Sequence, residues 1–495
     1  MPFSKKLARY ARRVLLSVAI VATLLTAIVV VENWRGERAW SGFAAEYAAR
    51  GEPLDVLPAP SSLPPEINFM KTPVLDRVLF RKSGAAEVRQ YFNGIPPLFL
   101  GSSEWREGKC FDSSGFLERT LKERKRLKLS ELPAATSPAG VVLATLATAE
   151  PVLGELRQAV EMRPKSQVVR PVAFTREAPF DVPLVGFQAT RNLVSALSIH
   201  ASAKLAEGRN DEADADALAA LRYSRGFTDM TDDTLVEAMI GVVCSRMALQ
   251  PVWEGCRHQQ WTDSQLARLQ HELALIRPMA ALERSFRTER TIVVLALDTY
   301  LPAEILKRRE SSQKARHWSP IALMPRGWVQ QNKVASVRMV QPAIDAASSI
   351  GTPVFLARLA ECDRETVRTE ERSYSPYSML AEDLVPTFHK VIKTALSAET
   401  DLTLARTACA LERHRLAMGA YPESLGALVP SLLAVVPTDP VDGQPLRYRR
   451  DADGTFLLYS IGIDGKDDAG RPALWAHQGR NAGSDGDWVW PRLVK

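Results

Sequence analysis

Cysteine is scarce in this chain, five in 495 residues, at positions 110, 244, 256, 362 and 409. So few, so scattered, exclude a fold built on a disulfide framework, although one or two bridges fit an oxidising compartment. Cys244 and Cys256 are close enough in sequence to meet across a helical hairpin, or to pack as ordinary thiols. Histidine is almost as rare: the seven, from His200 to His477, show neither an HExxH pair nor a cysteine–histidine ladder, which disfavours a zinc centre or a histidine-based catalyst. A strong charge of one sign is also missing. The formal net charge is +6, and Lys5, Lys6, Arg9, Arg12 and Arg13 supply most of it in one short segment. The basicity therefore speaks of membrane topology rather than of nucleic acid, and no nucleic-acid partner is expected.

An uncharged run comes directly after that basic segment. From Val14 to Val31 only Ser17, Thr23 and Thr26 are polar, and at about 1.5 Å per residue the run reaches roughly 27 Å, close to the hydrocarbon thickness of a bilayer. A cleaved signal peptide and a buried helix compete with a retained anchor. The passage through Val29, Val30 and Val31 into Glu32, Asn33 and Trp34 offers no small-x-small cleavage site and favours the anchor. Trp34 suits the far interface, and the basic cluster keeps the amino end in the cytoplasm. The expected location is the inner membrane of a bacterium, crossed once, with the main body in the periplasm.

The rest divides into a linker with the start of the body (32–140), a helical body (141–385) and a C-terminal module (386–495), after a cytoplasmic segment (1–13) and the anchor (14–31). Pro58, Pro60, Pro64, Pro65 and Pro73 make 51–73 extended. The charged run LERTLKERKRLKL reads as a solvated helix face. Leu193, Leu197, Ala201 and Leu205, then Ala213, Ala217 and Leu221, recur every four residues on either side of Gly208 and Asn210, which predicts a helical hairpin. Leu235–Leu249 predicts a central core helix, 262–275 another that stops before Pro278, and Thr291–Leu301 a buried helix, with a strand as the weaker alternative. Pro320, Pro325, Gly327 and Trp328 predict a long loop or cleft-covering segment over 310–332. The overall expectation is an α+β protein: a transmembrane helix, a mainly α-helical body and a C-terminal helix with a small antiparallel sheet.

The C-terminal module opens with an apolar arc, Leu402 to Leu416, into which Glu412 intrudes; Gly419 and Pro422 end that helix. Asp439, Pro440 and Gly443 make turns, a strand comes next near Leu446–Arg449, and Asp453-Gly454 turns the chain into TFLLYSIG. The ordered motifs GAYPESLGALVP, TDPVDGQPLRY, FLLYSIGIDGKDDAG and SDGDWVW resemble the globular part of the major pseudopilins of type II secretion systems. The whole chain more loosely resembles large membrane-anchored proteins of Planctomycetes and Verrucomicrobia. Two features depart from the pseudopilin pattern: several hundred residues separate the apolar segment from the module, and the leader lacks the glycine-phenylalanine-threonine-leucine-x-glutamate motif. The resemblance implies a structural Ca2+ ion in the terminal loop, with Asp464, Asp485 and Asp487 as ligands and Asp467 or Asp468 supplementing them. Carboxylates and loop carbonyls suit the six to eight oxygens calcium takes; an acidic surface loop whose Asp-Gly pairs merely turn is the alternative.

The functional expectation is a noncatalytic, membrane-anchored scaffold or protein-binding component of a cell-envelope assembly, touching the bilayer through residues 14–31 and an envelope protein through its body. The alternative is an exported hydrolase with a carboxylate site in the body, for which Glu361 and Asp363 are candidates.

Overall fold

The computed structural model describes residues 2–80, 91, 104–127, 131–176, 179, 182–183, 185–300, 324–371, 375–385, 388–472 and 486–491. Its first element, α1 (Pro2–Ala49), is one helix of 48 residues. The residues from Val14 to Val31 are exposed along the whole run. Thr23 and Thr26 return their hydroxyls to the carbonyls of Ala19 and Ala22 at 2.8 Å, so these two hydroxyls need no partner outside the helix. Among the described residues three helical stretches are long and apolar enough to cross a membrane, 10–49, 138–162 and 235–257; the apolar windows of the last two are partly or mostly buried in the protein, and only that of the first is wholly uncovered. The uncovered part of this helix has the length and apolarity of a lipid-embedded segment.

Beyond Val31 the helix does not end. Residues 32–49 continue it against α11 (Arg326–Ser348). The start of α11 falls within the span expected to be loop, where 324 onward is described. Pro325 takes the position before the helix and Gly327 lets it approach α1 backbone to backbone. A Cβ on Gly327 would overlap the Glu32 carbonyl, and one on Gly36 would overlap Gly327. Polar contacts fix the register: Gly327 N donates to Asn33 Oδ1 at 2.9 Å and Trp328 Nε1 to Glu32 Oε2 at 3.1 Å. Further along, the Lys333 ammonium lies 3.8 Å from the Trp40 ring centre, and Tyr47 packs with Leu54, Val294 and Val337.

The body is a stack of helices. α2 (Pro73–Val78), α3 (Ser113–Arg126), α4 (Pro138–Leu146) and α5 (Glu150–Met162) lead to the expected hairpin of α6 (Phe187–Ala206) and α7 (Asn210–Thr228). Its turn places Gly208 at φ 71°, a conformation that favours glycine. α8 (Leu235–Arg257) lies between that hairpin and the C-terminal helix and is buried along most of its length. A capping box of Thr234 and Glu237 starts it, and Thr262 with Gln265 does the same for α9 (Asp263–Leu275). α10 (Pro278–Leu295) passes into a π-helical turn through Tyr300, in keeping with the expected buried helix. α12 (Phe355–Glu371) and α13 (Met379–Leu384) complete the body. The segment 51–72 is extended apart from two single 3-10 turns.

α14 (His389–Met418) runs for 30 residues and closes on Gly419 at φ 77°. Glu412, the charge within its apolar arc, accepts from the Tyr421 hydroxyl and pairs with Arg415 at 2.8 Å; the chain folds back there as its pattern predicts. β1 (Arg447–Arg450), β2 (Phe456–Ser460) and β3 (Trp488–Val489) form an antiparallel sheet in that order, with Tyr448 opposite Leu458 and Ser460 opposite Trp488. Phe456, Leu458 and Trp490 join the same apolar core as Leu197, Leu221, Trp253 and Leu411. One hydrophobic core thus runs across residue 386, with α14 shared between body and sheet. Cys244 and Cys256 both lie on α8, three turns apart, so helix geometry keeps their sulfurs from meeting; all five cysteines are free thiols.

Candidate functional site

The acidic loop comes after β2. Asp464 accepts from the amides of Lys466 (3.2 Å) and Gly486 (3.4 Å). Asp467 accepts from the Tyr459 hydroxyl (3.0 Å) and the Ala469 amide (2.9 Å), while Asp468 pairs with Arg471 at 3.2 Å. Asp487 is buried beside β3 and takes the amides of Asp468 (3.3 Å) and Gly470 (2.6 Å) on its two oxygens. Burial raises its pKa against these two donors, and the neighbouring Asp467 and Asp468 add to the rise. Asp485 lies outside the described residues. Among the described residues no three His, Cys, Asp or Glu side chains converge in a group fit to hold a metal ion. As arranged, the carboxylates close the loop through N–H donors, and an ion would have to displace some of them.

The residue that organises this end of the molecule is Asp439. Its oxygens accept from Val441 N (3.0 Å), Ser460 Oγ (2.7 Å), Ile461 N (3.0 Å) and Arg447 (3.0 Å), joining the turn after Pro437 to two strands. The TDP motif marks a turn in the sequence, but the reach of Asp439 to Ser460 and Ile461 depends on strand register.

A cleft of about 380 Å³ opens where the α9–α10 corner, α14 and the segment 435–440 meet. Its floor carries Glu399, whose Oε2 accepts from Met279 N at 3.1 Å. Met279 is the second residue of α10, so the carboxylate caps an amide that the helix leaves unpaired. Burial nevertheless pushes Glu399 up to about 7, against that amide and the charges of Arg277 and Arg406. The same device recurs at Leu235 N, which donates to Glu289 at 3.0 Å, and at Val74 N, which donates to Glu155 at 3.0 Å: helix starts here are capped by glutamates from other helices. A glutamate in a polar stretch of a long helix carries no sign of this in sequence. A second cleft, about 580 Å³, lies between α1 and α11 beside Phe43, Glu46, Arg338 and Tyr377.

Two histidines acquire acid or thiol neighbours through the fold. Cys110 Sγ is 3.2 Å from His258 Nε2 at the end of α8; burial, with Glu254 nearby, pushes this thiol up to about 11, so at neutral pH it rests protonated and is a poor nucleophile. His200 Nδ1 meets the buried Asp216 at 2.9 Å. Asp216 also binds Lys204 (2.8 Å) and Arg157 (2.7 Å), and against the effect of burial these three neighbours hold its carboxyl below the usual range. That saturated network ties α5, α6 and α7 together. Glu361 pairs with Arg364, and Asp363 lies 3.1 Å from Lys393; these carboxylates are engaged in ion pairs on α12 and line neither cleft.

No protein-family profile, curated protein or solved structure matches this chain.

Proposed function

We propose that this chain is a noncatalytic, single-pass protein of a bacterial inner membrane, with its N-terminus in the cytoplasm and its body in the periplasm, where it binds another envelope protein as part of an assembly. The observation that carries the reading is the continuity of α1: the uncovered apolar stretch passes without a break into the clamp with α11 at Gly36 and Gly327. A helix that runs from the apolar stretch straight into the body leaves no loose linker between them, which suits a scaffold held close to the bilayer. The charges at Lys5, Lys6, Arg9, Arg12 and Arg13 support the orientation. The Glu399 cleft, lined by mixed polar and apolar side chains with Arg277 and Arg406 among them, is the contact region this reading assigns to the partner.

Calcium in the terminal loop belongs to the same reading. Its support is the concentration of Asp464, Asp467, Asp468, Asp485 and Asp487 around one loop closure, together with the pseudopilin-like motifs; binding would offset the mutual repulsion of the carboxylates. Its role is structural.

Photo-crosslinking from Thr403 in native membranes tests the function. A reproducible adduct to one envelope protein, lost when Arg406→Glu reverses the rim charge, is expected. No protein adduct, together with substrate turnover by the purified full chain, would overturn it.

A further inference from the structure

The charged side chains lining the cleft between the α9–α10 corner and α14 are Arg277, Glu399 and Arg406. Glu399 is spent on the Met279 amide, 3.1 Å away at the start of α10. The two guanidiniums have no such partner. Among the described residues neither Arg277 nor Arg406 forms a salt bridge or a side-chain hydrogen bond, and Arg406 Nε is shut away from solvent without a hydrogen-bond partner. Elsewhere in the body buried carboxylates claim the arginines beside them: Asp216 takes Arg157 at 2.7 Å, Glu272 takes Arg222 at 2.8 Å, and Glu237 takes Arg170. An arginine that folding has partly stripped of water without supplying an acceptor costs stability. A carboxylate brought from outside recovers that cost through the charge-assisted hydrogen bonds a planar guanidinium favours. The N-terminal end of α10 adds a positive field to the same space. Ile276, Leu402, Val435 and Val436 line it as well, and Val435 is a large aliphatic side chain left 68% exposed beside the charges.

We infer that this cleft receives a carboxylate of the partner protein: an acidic side chain carried between aliphatic residues, with the carboxylate set against Arg277 and Arg406 and the aliphatic flank laid on Val435 and Val436. The inference rests on the assignment of the cleft as the partner's contact region and adds the chemistry by which that partner is recognised. Charge complementarity decides the sign of the group, since two arginines stand against one glutamate whose own charge burial disfavours. The aliphatic lining decides what accompanies it. A free inorganic anion satisfies the guanidiniums but leaves Val435 in water, whereas an acidic residue with leucine or valine beside it covers both. At about 380 Å³ the cleft is at the small end of ligand pockets, which suits one short segment of the partner rather than a broad face.

The test uses the purified full chain in detergent and acetylated, amidated pentapeptides of serine, leucine, a central residue, leucine and serine, in which the central residue is glutamate, glutamine or lysine. Calorimetric titration is expected to find the glutamate peptide bound roughly tenfold more tightly than the glutamine peptide, the weight of about one well-placed charge-assisted pair, with the preference weakened by salt. Arg277→Gln/Arg406→Gln should erase the preference. Arg277→Glu, at an exposed position, should turn it toward the lysine peptide. Equal binding of the glutamate and glutamine peptides, no binding of either, an unshifted preference in Arg277→Glu, or a preference that survives Arg277→Gln/Arg406→Gln at the wild-type melting temperature overturns the inference. Inorganic phosphate that displaces the glutamate peptide at equal concentration overturns it too, by making the cleft a site for any anion. The photo-crosslink from Thr403 separates this result from the reading beneath it. An adduct without acidic preference sinks the carboxylate and leaves the partner; an acidic preference without an adduct in membranes sinks the partner, and with it the assignment to a protein, leaving a carboxylate site.

Discussion

α1 and α8 are both long enough and apolar enough to cross a membrane, yet one stands uncovered and the other is in the middle of the core. Their polar side chains explain the difference. In the apolar run of α1 the only groups needing a partner are hydroxyls, and Thr23 and Thr26 find theirs one turn back on the same helix. α8 carries Glu237, Gln250 and Glu254, which besides their bonds within the helix and its cap hold groups on other segments: Arg170 for Glu237, Trp105 N (2.9 Å) and Lys109 O (3.1 Å) for Gln250, and the Phe111 amide for Glu254. In lipid the bonds to other segments would be lost, leaving polar and charged atoms without partners. Mean apolarity selects both helices; the reach of their polar groups sorts them.

The contrast between the two helices breaks first at the junction of anchor and body. Gly327→Leu drives a side chain into the Glu32 backbone and should separate α1 from α11, at a cost of about 3 kcal/mol or more. Gly42→Ala on α1 has open space around it and should be neutral or slightly stabilising. Thermal unfolding in detergent, with proteolysis between residues 32 and 49 as the local readout, separates the two; equal effects would mean the clamp does not hold the body. Next in size is a pair of polar-to-apolar changes. Gln250→Leu leaves the Trp105 amide and the Lys109 carbonyl without their partner and should cost about 2–3 kcal/mol, whereas Thr23→Val in α1 should leave stability and membrane retention unchanged. Denaturant unfolding and membrane fractionation decide; a harmless Gln250→Leu would remove the explanation given for why α8 is in the core.

Glu399 sharpens the contrast between buried charges that are matched and those that are not. Its carboxyl, at about 7 in the folded chain against about 4.3 unfolded, holds its proton more tightly when folded. Its contribution to stability is therefore full at low pH and declines as pH rises between those two values. Glu399→Gln should flatten that slope and raise stability above pH 7 by about 2 kcal/mol, read from unfolding midpoints at pH 5 and pH 8. A variant with the wild-type slope would show that another group titrates there. The smallest effect is at the loop. Calcium should raise the melting temperature by a few degrees and chelator should reverse it, with Asp464→Ala and Asp487→Ala each weakening the response; calorimetry that finds neither binding nor chelator sensitivity would leave the loop closed by its N–H donors alone.

Local pattern carried most of the architecture. The four-residue spacing from Leu193 to Leu221 shows the α6–α7 hairpin, Gly419 the end of α14, and the uncharged run the apolar helix of membrane-spanning length, because each is a statement about neighbours along the chain. The features that escaped depend on distant approach. Pro325 and Gly327 read as loop residues, whereas here proline precedes a helix and glycine admits another backbone. Cys110 finds His258 and Glu399 finds the Met279 amide only once helices pack. Of the acidic loop, the sequence shows which carboxylates lie close along the chain but not the amides that occupy Asp487 and Asp464.

One helix that crosses the bilayer and holds the body beyond it is the central claim, and protease accessibility in cells reads it directly. The prediction is a full-length chain, protected while the outer membrane is intact and digested from the carboxyl side once it is permeabilised, down to a membrane-bound fragment containing residues 14–31. A soluble mature protein beginning near Glu32, or a body still protected after permeabilisation, would contradict it.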